Sequence, residues 1–100
     1  MAWMIICEDS ELAGGLRADK GLMAAHWAYE LSIKSLILAA GSLRDDQGLV
    51  PRGSLLILDV ASKAEALALL AADPATKAGL RGKVTASYWN PAILGGRELG

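Results

Sequence analysis

The 100-residue sequence has no phenylalanine, one cysteine and one histidine, and these shortages limit the kinds of core and site that the chain can form. Cys7 has no second cysteine to pair with, so an internal disulfide and a cysteine-based metal cluster are both excluded. It lies in an apolar run, where a free thiol is expected to be a small buried hydrophobic residue. Without phenylalanine, the core has to come from leucine, isoleucine, valine, methionine and the three tryptophans.

Long runs of like charge are also missing. The 10 basic and 11 acidic residues give a formal net charge of -1, and the basic ones are scattered singly. A nucleic-acid partner normally requires a basic stripe, so none is expected. The first apolar stretch is too short for a signal peptide or a membrane span and has no basic residue before it. We therefore expect a cytoplasmic protein without a membrane partner.

The hydrophobic pattern predicts one α+β domain with the element order β-α-β-β-α-β. The length is sufficient for a single core. Apolar runs bounded by turn residues predict strands at residues 1–7, 36–43, 54–60 and 83–89. Helical spacing predicts a first helix over residues 16–34. A second helix is predicted to start at a capping box of Ser62 and Glu65 and to end at Asp73, before a proline. The domain is expected to span residues 1–92, with residues 93–100 as an arm or a disordered tail.

Apolar residues occupy both faces of the predicted strands. Ile5 and Ile6 are adjacent, as are Ile57 and Leu58, and neighbours in a strand point to opposite faces. Two helices can cover only one face, and soluble monomers rarely expose a large apolar patch. The sequence therefore predicts a homodimer or a higher even oligomer, with the second sheet face buried against another copy. The alternative is that loops and the tail cover that face.

His26 is the first candidate for chemistry, because an unperturbed imidazole titrates close to neutral pH. It lies between Leu22 and Tyr29 on the apolar face of the first helix, so it is expected to point toward the sheet. Glu30 is expected on the wetter side of this helix. The alternative for His26 is a buried ring bonded to a backbone carbonyl or a hydroxyl.

Asp73 is the second candidate. A carboxylate before a proline is often only a helix-terminating residue, but it can also accept a hydrogen bond from histidine, which fixes the tautomer and stabilises the charged ring. His26 and Asp73 are 47 positions apart, so sequence alone cannot bring them together. The adjacent Asp45 and Asp46 are explained by turn formation.

Several other kinds of site lack a pattern in this sequence. One histidine and scattered carboxylates provide no metal-ligand spacing, and no glycine-rich phosphate motif follows a strand. No cofactor is therefore expected. Trp27, Tyr88 and Trp89 can line a pocket for an aromatic ring, and Trp27 can equally belong to the core.

The order of these segments resembles the YCII-like family of the dimeric α+β barrel superfamily. The resemblance covers roughly residues 2–92 and rests on order and spacing, since no single motif is specific. The matching segments are the apolar first strand, His-Trp-Ala-Tyr at residues 26–29, Leu-Ala-Ala-Gly-Ser-Leu at 38–43, the acidic turn at 45–48, Gly-Ser at 53–54, Ala-Asp-Pro at 72–74, and the last strand with Trp89 and Pro91.

The resemblance implies a ferredoxin-like subunit with a four-stranded antiparallel sheet, a dimer, and a cleft that holds a catalytic histidine–aspartate pair. That pair would be His26 and Asp73. Two departures concern the cleft. Ser42 stands where the family usually has proline, and the arginine usually found shortly before the histidine is not clearly placed, with Arg17 nine residues upstream.

The leading functional prediction is a cofactor-independent lyase or isomerase of a small hydroxylated aromatic or lactone. Loss of hydrogen chloride from a chlorinated hydroxyquinol is the specific reaction that the resemblance implies. His26 would remove a proton, Asp73 would orient it, and contacts to substrate are predicted for Arg44, Ser54, Tyr88 and Trp89. One alternative is a non-catalytic dimer that binds a small aromatic ligand or a partner protein. Another is an oxygen-using monooxygenase.

Overall fold

The computed structural model describes residues 2–100, and its centre is a four-stranded antiparallel sheet. Its strands are β1 (Ala2–Asp9), β2 (Ile37–Arg44), β3 (Pro51–Leu58) and β4 (Arg81–Trp89), in the spatial order β2-β3-β1-β4. Helices connect β1 to β2 and β3 to β4, while a turn connects β2 to β3. The predicted ferredoxin-like α+β fold is therefore confirmed.

The first predicted helix is divided into two. Helix α1 (Ala13–Ala18) ends before Asp19, and α2 (Lys20–Ser32) begins after it. The Asp19 carboxylate accepts a hydrogen bond from the backbone N–H of Leu22, which caps the new helix. A short 3-10 turn (Lys34–Leu36) then leads into β2.

The second predicted helix is α3 (Lys63–Ala71), followed by the short α4 (Pro74–Lys77). Ser62 accepts a hydrogen bond from the Glu65 amide, as the capping box predicts. The Glu65 carboxylate reaches back to the amide of Ala61, one residue earlier than expected. Asp73 and its following proline end α3, and the same aspartate caps α4.

The main core lies between α3 and one face of the sheet. Cys7 is fully buried there, as predicted, and burial raises the pKa of its thiol. This cluster contains Ile5, Cys7, Leu56, Leu58, Ala66 and Leu70. A smaller cluster of Ala13, Ala75 and Leu80 joins α1 and α4 to the end of the sheet.

Helix α2 packs less closely than α3. None of its residues is buried, although Tyr29 donates a hydrogen bond to the Leu69 carbonyl at 2.6 Å and so ties α2 to α3. Trp27 and Leu31 on this helix remain exposed. The helix therefore lies over the sheet without filling the space beneath it.

The other sheet face carries no helix. Strand pairing places Met4, Ile6 and Leu55 on it, and Ile6 is exposed. In the predicted tail, β5 (Ile93–Leu94) pairs with β6 (Arg97–Glu98) as a hairpin. Within residues 2–100, no helix is both long and apolar enough to cross a membrane.

Candidate functional site

A cavity of about 140 Å³ lies between α2 and the sheet. The helical side contributes Arg17, His26, Trp27 and Glu30. The sheet side contributes Ala40, Gly41, Ser42, Ser54, Leu55, Leu56 and Arg81. The loose packing of α2 leaves this space open, and three strands of the sheet form its floor. Its lining combines an aromatic ring with several polar and charged groups.

His26 lies between two carboxylates. Its Nδ1 is 2.7 Å from Asp73 Oδ2, and its Nε2 is 2.5 Å from Glu30 Oε1. Glu30 follows His26 by four residues on α2, a spacing that places two side chains next to each other on a helix. Asp73 comes from the junction of α3 and α4, so the site joins two separate segments of the chain.

These contacts favour the protonated ring. An ionised carboxylate only accepts hydrogen bonds, so both ring nitrogens must carry hydrogen to satisfy the two contacts. The hydrogen bond to Asp73, followed by that to Glu30, raises the pKa of His26 to about 9, although partial burial opposes the shift. At neutral pH the resting site therefore contains an imidazolium between two carboxylates.

Asp73 is held from several directions. Its side chain is 4% exposed, and its Oδ1 accepts a hydrogen bond from the Ala75 amide at 2.9 Å. Burial by itself would raise the pKa of Asp73, but the hydrogen bonds from His26 and Ala75 and the positive charge of Arg81 lower it overall. The buried carboxylate is thus kept ionised, and its hydrogen bond with His26 Nδ1 orients the imidazole ring.

Two arginines complete the charge pattern of the cavity. Arg81, with a side chain 4% exposed, lies 3.2 Å from Asp73 Oδ2 and donates to Ser54 Oγ at 2.6 Å. Arg17 binds both oxygens of Asp9 at 2.8 Å. Arg17 pairs with Asp9, Arg81 shares Asp73 with His26, and His26 also contacts Glu30, so the three positive charges are matched by three carboxylates.

Residues 1–90 match the sequence profile of the YCII-related domain, which covers most of the chain. The chain belongs to the YCII family. The predicted resemblance is therefore confirmed, and the match ends before the C-terminal hairpin. A search of curated proteins found no match.

A solved structure supports the same assignment. It is the 5-chloro-2-hydroxyhydroquinone dehydrochlorinase from Burkholderia phenoliruptrix in complex with 2,5-dihydroxybenzoquinone. The two chains are 30% identical with a TM-score of 0.73, and the alignment covers 90% of this chain and 94% of the other. This YCII chain is therefore similar in fold and length to an enzyme that eliminates hydrogen chloride.

The predicted site residues of this YCII chain fall into two groups. His26, Asp73 and Ser54 meet at the cavity, directly or through Arg81. Arg44 does not line it, because its guanidinium donates instead to Ser42 Oγ at 2.8 Å and to the Gly48 carbonyl. Arg44 therefore borders the site through Ser42 and has no contact with the space beside His26.

Tyr88 and Trp89 do not line the cavity either. They lie at the far end of β4 from Arg81, and a strand advances by about 3.3 Å per residue, so seven residues correspond to roughly 23 Å. Tyr88 instead packs edge-on against Trp3, with ring centroids 5.5 Å apart. Neither residue is therefore part of the lining of this cavity, and their contact with substrate stays a prediction. The aromatic side chain beside His26 is Trp27.

Two site residues were not recognised from sequence. Glu30 was expected on the wetter side of its helix, yet its side chain is only 17% exposed and contacts His26. The spacing of four residues was the available signal. Arg81 had no such signal, since only the fold brings the start of β4 to Asp73. Across residues 2–100, no group of three or more histidine, cysteine or acidic residues is arranged to hold a metal ion.

Proposed function

We propose that this protein is a small-molecule lyase or isomerase that acts on a single hydroxylated ring, with His26 and Asp73 as its acid–base pair. Elimination of hydrogen chloride from a chlorinated hydroxyquinol is the specific reaction we propose first. The observation that carries the proposal is the imidazolium of His26, held against the buried Asp73 in a cavity beside an aromatic side chain. The similar dehydrochlorinase supports the reaction type.

The size of the cavity favours a single ring. A cavity of about 150 Å³ holds one benzene molecule in a well-studied engineered protein, and the present volume is about 140 Å³. Trp27 provides an apolar surface on which an aromatic or quinonoid ring can lie. Ser42, Ser54 and the charged groups provide partners for ring hydroxyls.

The charge state of His26 assigns it a first role. A ring that is protonated at rest is a general acid, so His26 would donate a proton in the first step and act as a base only afterwards. This reverses the order expected from the sequence, in which His26 began as the base. Asp73 would stabilise the charged ring and direct Nε2 toward the cavity. Acid–base catalysis of this kind contributes about 10²–10⁴-fold in rate.

The experiment is to incubate the purified protein with 5-chloro-2-hydroxyhydroquinone under anaerobic conditions and to measure chloride release and quinone absorbance. Without oxygen, spontaneous oxidation of the hydroquinone is suppressed, and any monooxygenase reaction is excluded. We expect chloride release that falls at least 100-fold in His26→Asn and Asp73→Asn. Asp46→Asn, an exposed position on the turn between β2 and β3, is the matched control and should behave as wild type.

A non-catalytic binding module is the second candidate. It is favoured by the occupation of both His26 nitrogens in the resting site, which leaves no free nitrogen for chemistry. This alternative predicts that 2,5-dihydroxybenzoquinone binds with a measurable heat, whereas no substrate of the class loses chloride. Binding without turnover would therefore replace the lyase proposal.

We also propose that the protein is a homodimer in which the helix-free sheet face is covered by a second copy. Both long helices lie on the opposite face, and Ile6 and Leu43 are 36% and 39% exposed on this one. Light scattering coupled to gel filtration should give twice the chain mass. Ile6→Glu should shift the protein toward monomer, and a monomeric wild type would refute the proposal.

A further inference from the structure

We propose that Glu30 is a second catalytic residue, the base that takes a hydroxyl proton from the substrate while His26 protonates the ring. This inference deepens the proposed function and rests on it. In the resting site the Glu30 carboxylate occupies the position where the substrate hydroxyl would bind. Glu30 therefore has two roles: it occupies the hydroxyl position until the substrate binds, and it then accepts the hydroxyl proton.

The need for a second group follows from the hydrogen bonds of His26. Both nitrogens donate to carboxylates, so the ring has no lone pair with which to accept a proton. A reaction that begins by deprotonating a hydroxyl therefore requires another base facing the cavity. The charged groups that can be considered are the carboxylates of Asp9, Glu30 and Asp73.

Only Glu30 is available among these three. Asp73 is buried and is already bound by the Ala75 amide, by His26 and by Arg81. Both carboxylate oxygens of Asp9 accept hydrogen bonds from Arg17, one from Nε and one from Nη2, and Asp9 does not line the cavity. Glu30 lines the cavity and is partly exposed, and its contact with His26 lies within one helix.

Displacement of Glu30 from Nε2 needs only side-chain rotation. Its side chain has rotatable bonds along its length, and Asp73 continues to hold the other nitrogen while the carboxylate moves. A substrate hydroxyl can then lie between the imidazolium and the carboxylate, beside Trp27.

The two groups together balance the proposed elimination. Glu30 accepts the proton of the hydroxyl next to the C–Cl carbon, and that oxygen becomes a ketone as His26 adds a proton to the C–Cl carbon. His26 is now neutral, and it accepts the proton of a second hydroxyl while the C–Cl bond breaks and chloride leaves with the bonding electrons. The ring becomes a quinone, and Glu30 releases its proton to solvent while His26 is again an imidazolium. The products are one quinone, one chloride and one proton, so no external oxidant is required.

Glu30→Gln is the informative variant. The amide is almost the same size and its oxygen still accepts a hydrogen bond from Nε2, so the position of His26 is retained while proton acceptance is lost. We expect kcat for chloride release to fall at least 100-fold with KM changed only a few-fold. Glu30→Asp should recover part of the rate. Glu11→Gln, which changes an exposed carboxylate outside the cavity, is the matched control.

A binding measurement tests the displacement separately. The hydroxyls of 2,5-dihydroxybenzoquinone are acidic, so this probe is an anion that competes with the Glu30 carboxylate for His26. Calorimetry should show tighter binding to Glu30→Gln than to wild type, by about tenfold for one removed like charge worth roughly 1.4 kcal/mol. Equal affinities would refute the displacement.

The outcomes separate the two proposals. Chloride release at equal rates by wild type and Glu30→Gln would refute the role of Glu30 and leave the lyase proposal intact. A rate lost in Glu30→Gln and partly recovered in Glu30→Asp would support both. If wild type releases no chloride from any chlorinated hydroxyquinol, the proposed function fails, and the assignment of Glu30 as its base fails with it.

Discussion

Replacing Asp73 with asparagine removes the charge behind His26 while keeping the size of the side chain. An asparagine oxygen can still accept the hydrogen bond from the Ala75 amide, so the start of α4 should be preserved. The imidazolium would keep Glu30 as its only carboxylate partner and would lie near Arg81, whose charge would then have lost its closest counterion. The pKa of His26 should therefore fall.

The size of the effect follows from the wild-type shift. The pKa of His26 is raised from 6.5 to about 9, and one unit corresponds to about 1.36 kcal/mol, so the site as a whole, with the opposing effect of burial included, favours the charged ring by roughly 3 kcal/mol. Asp73 is the larger contributor. We expect Asp73→Asn to lower the pKa of His26 by at least one unit, and Glu30→Gln to lower it by less.

Nitrogen-15 NMR of the imidazole provides the assay, because the chain has a single histidine and the signal needs no assignment by mutation. Its two ring nitrogens should have similar, protonated shifts through neutral pH in the wild type. Above the midpoint, the hydrogen should remain on Nδ1, where Asp73 binds it. A wild-type midpoint near 6.5, or no change in Asp73→Asn, would refute the arrangement described here. Asp46→Asn should titrate as wild type.

Two further predictions concern stability. Because the folded-state pKa of His26 lies above the unfolded value, its contribution to stability is fully present below pH 6.5 and is lost as the pH rises to about 9. Urea titrations should therefore show the free energy of unfolding falling by up to about 3 kcal/mol across that window. A His26→Asn protein that loses as much stability over the same pH range would contradict this link. Gly53→Ala should destabilise the protein by about 1–3 kcal/mol or more, because a Cβ at this position would lie 2.3 Å from the Cys7 carbonyl oxygen. Gly41→Ala on the neighbouring strand is the control, since a Cβ there meets nothing within 4 Å. Equal denaturation midpoints for the two variants would show that the sheet adjusts at Gly53.

The fold was largely predictable from sequence because its signals are local. Nearly continuous apolar runs bounded by turn residues predicted the four strands to within a few residues, and the Ser62 capping box and the proline after Asp73 predicted both ends of α3. The break at Asp19 was missed because the apolar spacing continues across it. An aspartate followed by a lysine and a glycine was the signal for a new helix start.

The site was predictable only in part, because its geometry depends on tertiary contacts. The face of α2 directed His26 toward the sheet, but the contact with Asp73 needed the family resemblance as well as the helix pattern. The contact between Glu30 and His26 could be predicted from the sequence, since a carboxylate four residues after a histidine can bind it along a helix. The contact between Arg81 and Asp73 could not be predicted in this way, because no local sequence pattern indicates it. The substrate contacts predicted for Tyr88 and Trp89 rest on their aromatic character, and neither residue lines the cavity.

The Asp73 carboxylate makes two different connections with its two oxygens. One oxygen accepts the amide that starts α4, and the other holds the imidazole. Glutamate would be one methylene too long to repeat both contacts, and alanine would lose both. Under the proposed function, selection for activity and selection for correct folding would act on the same atoms at this position, whereas the Glu30 carboxylate contacts His26 within one helix. Drift toward a new reaction should accordingly begin at Glu30, whose replacement weakens the contact with His26 but leaves the start of α4 intact, and reach Asp73 last.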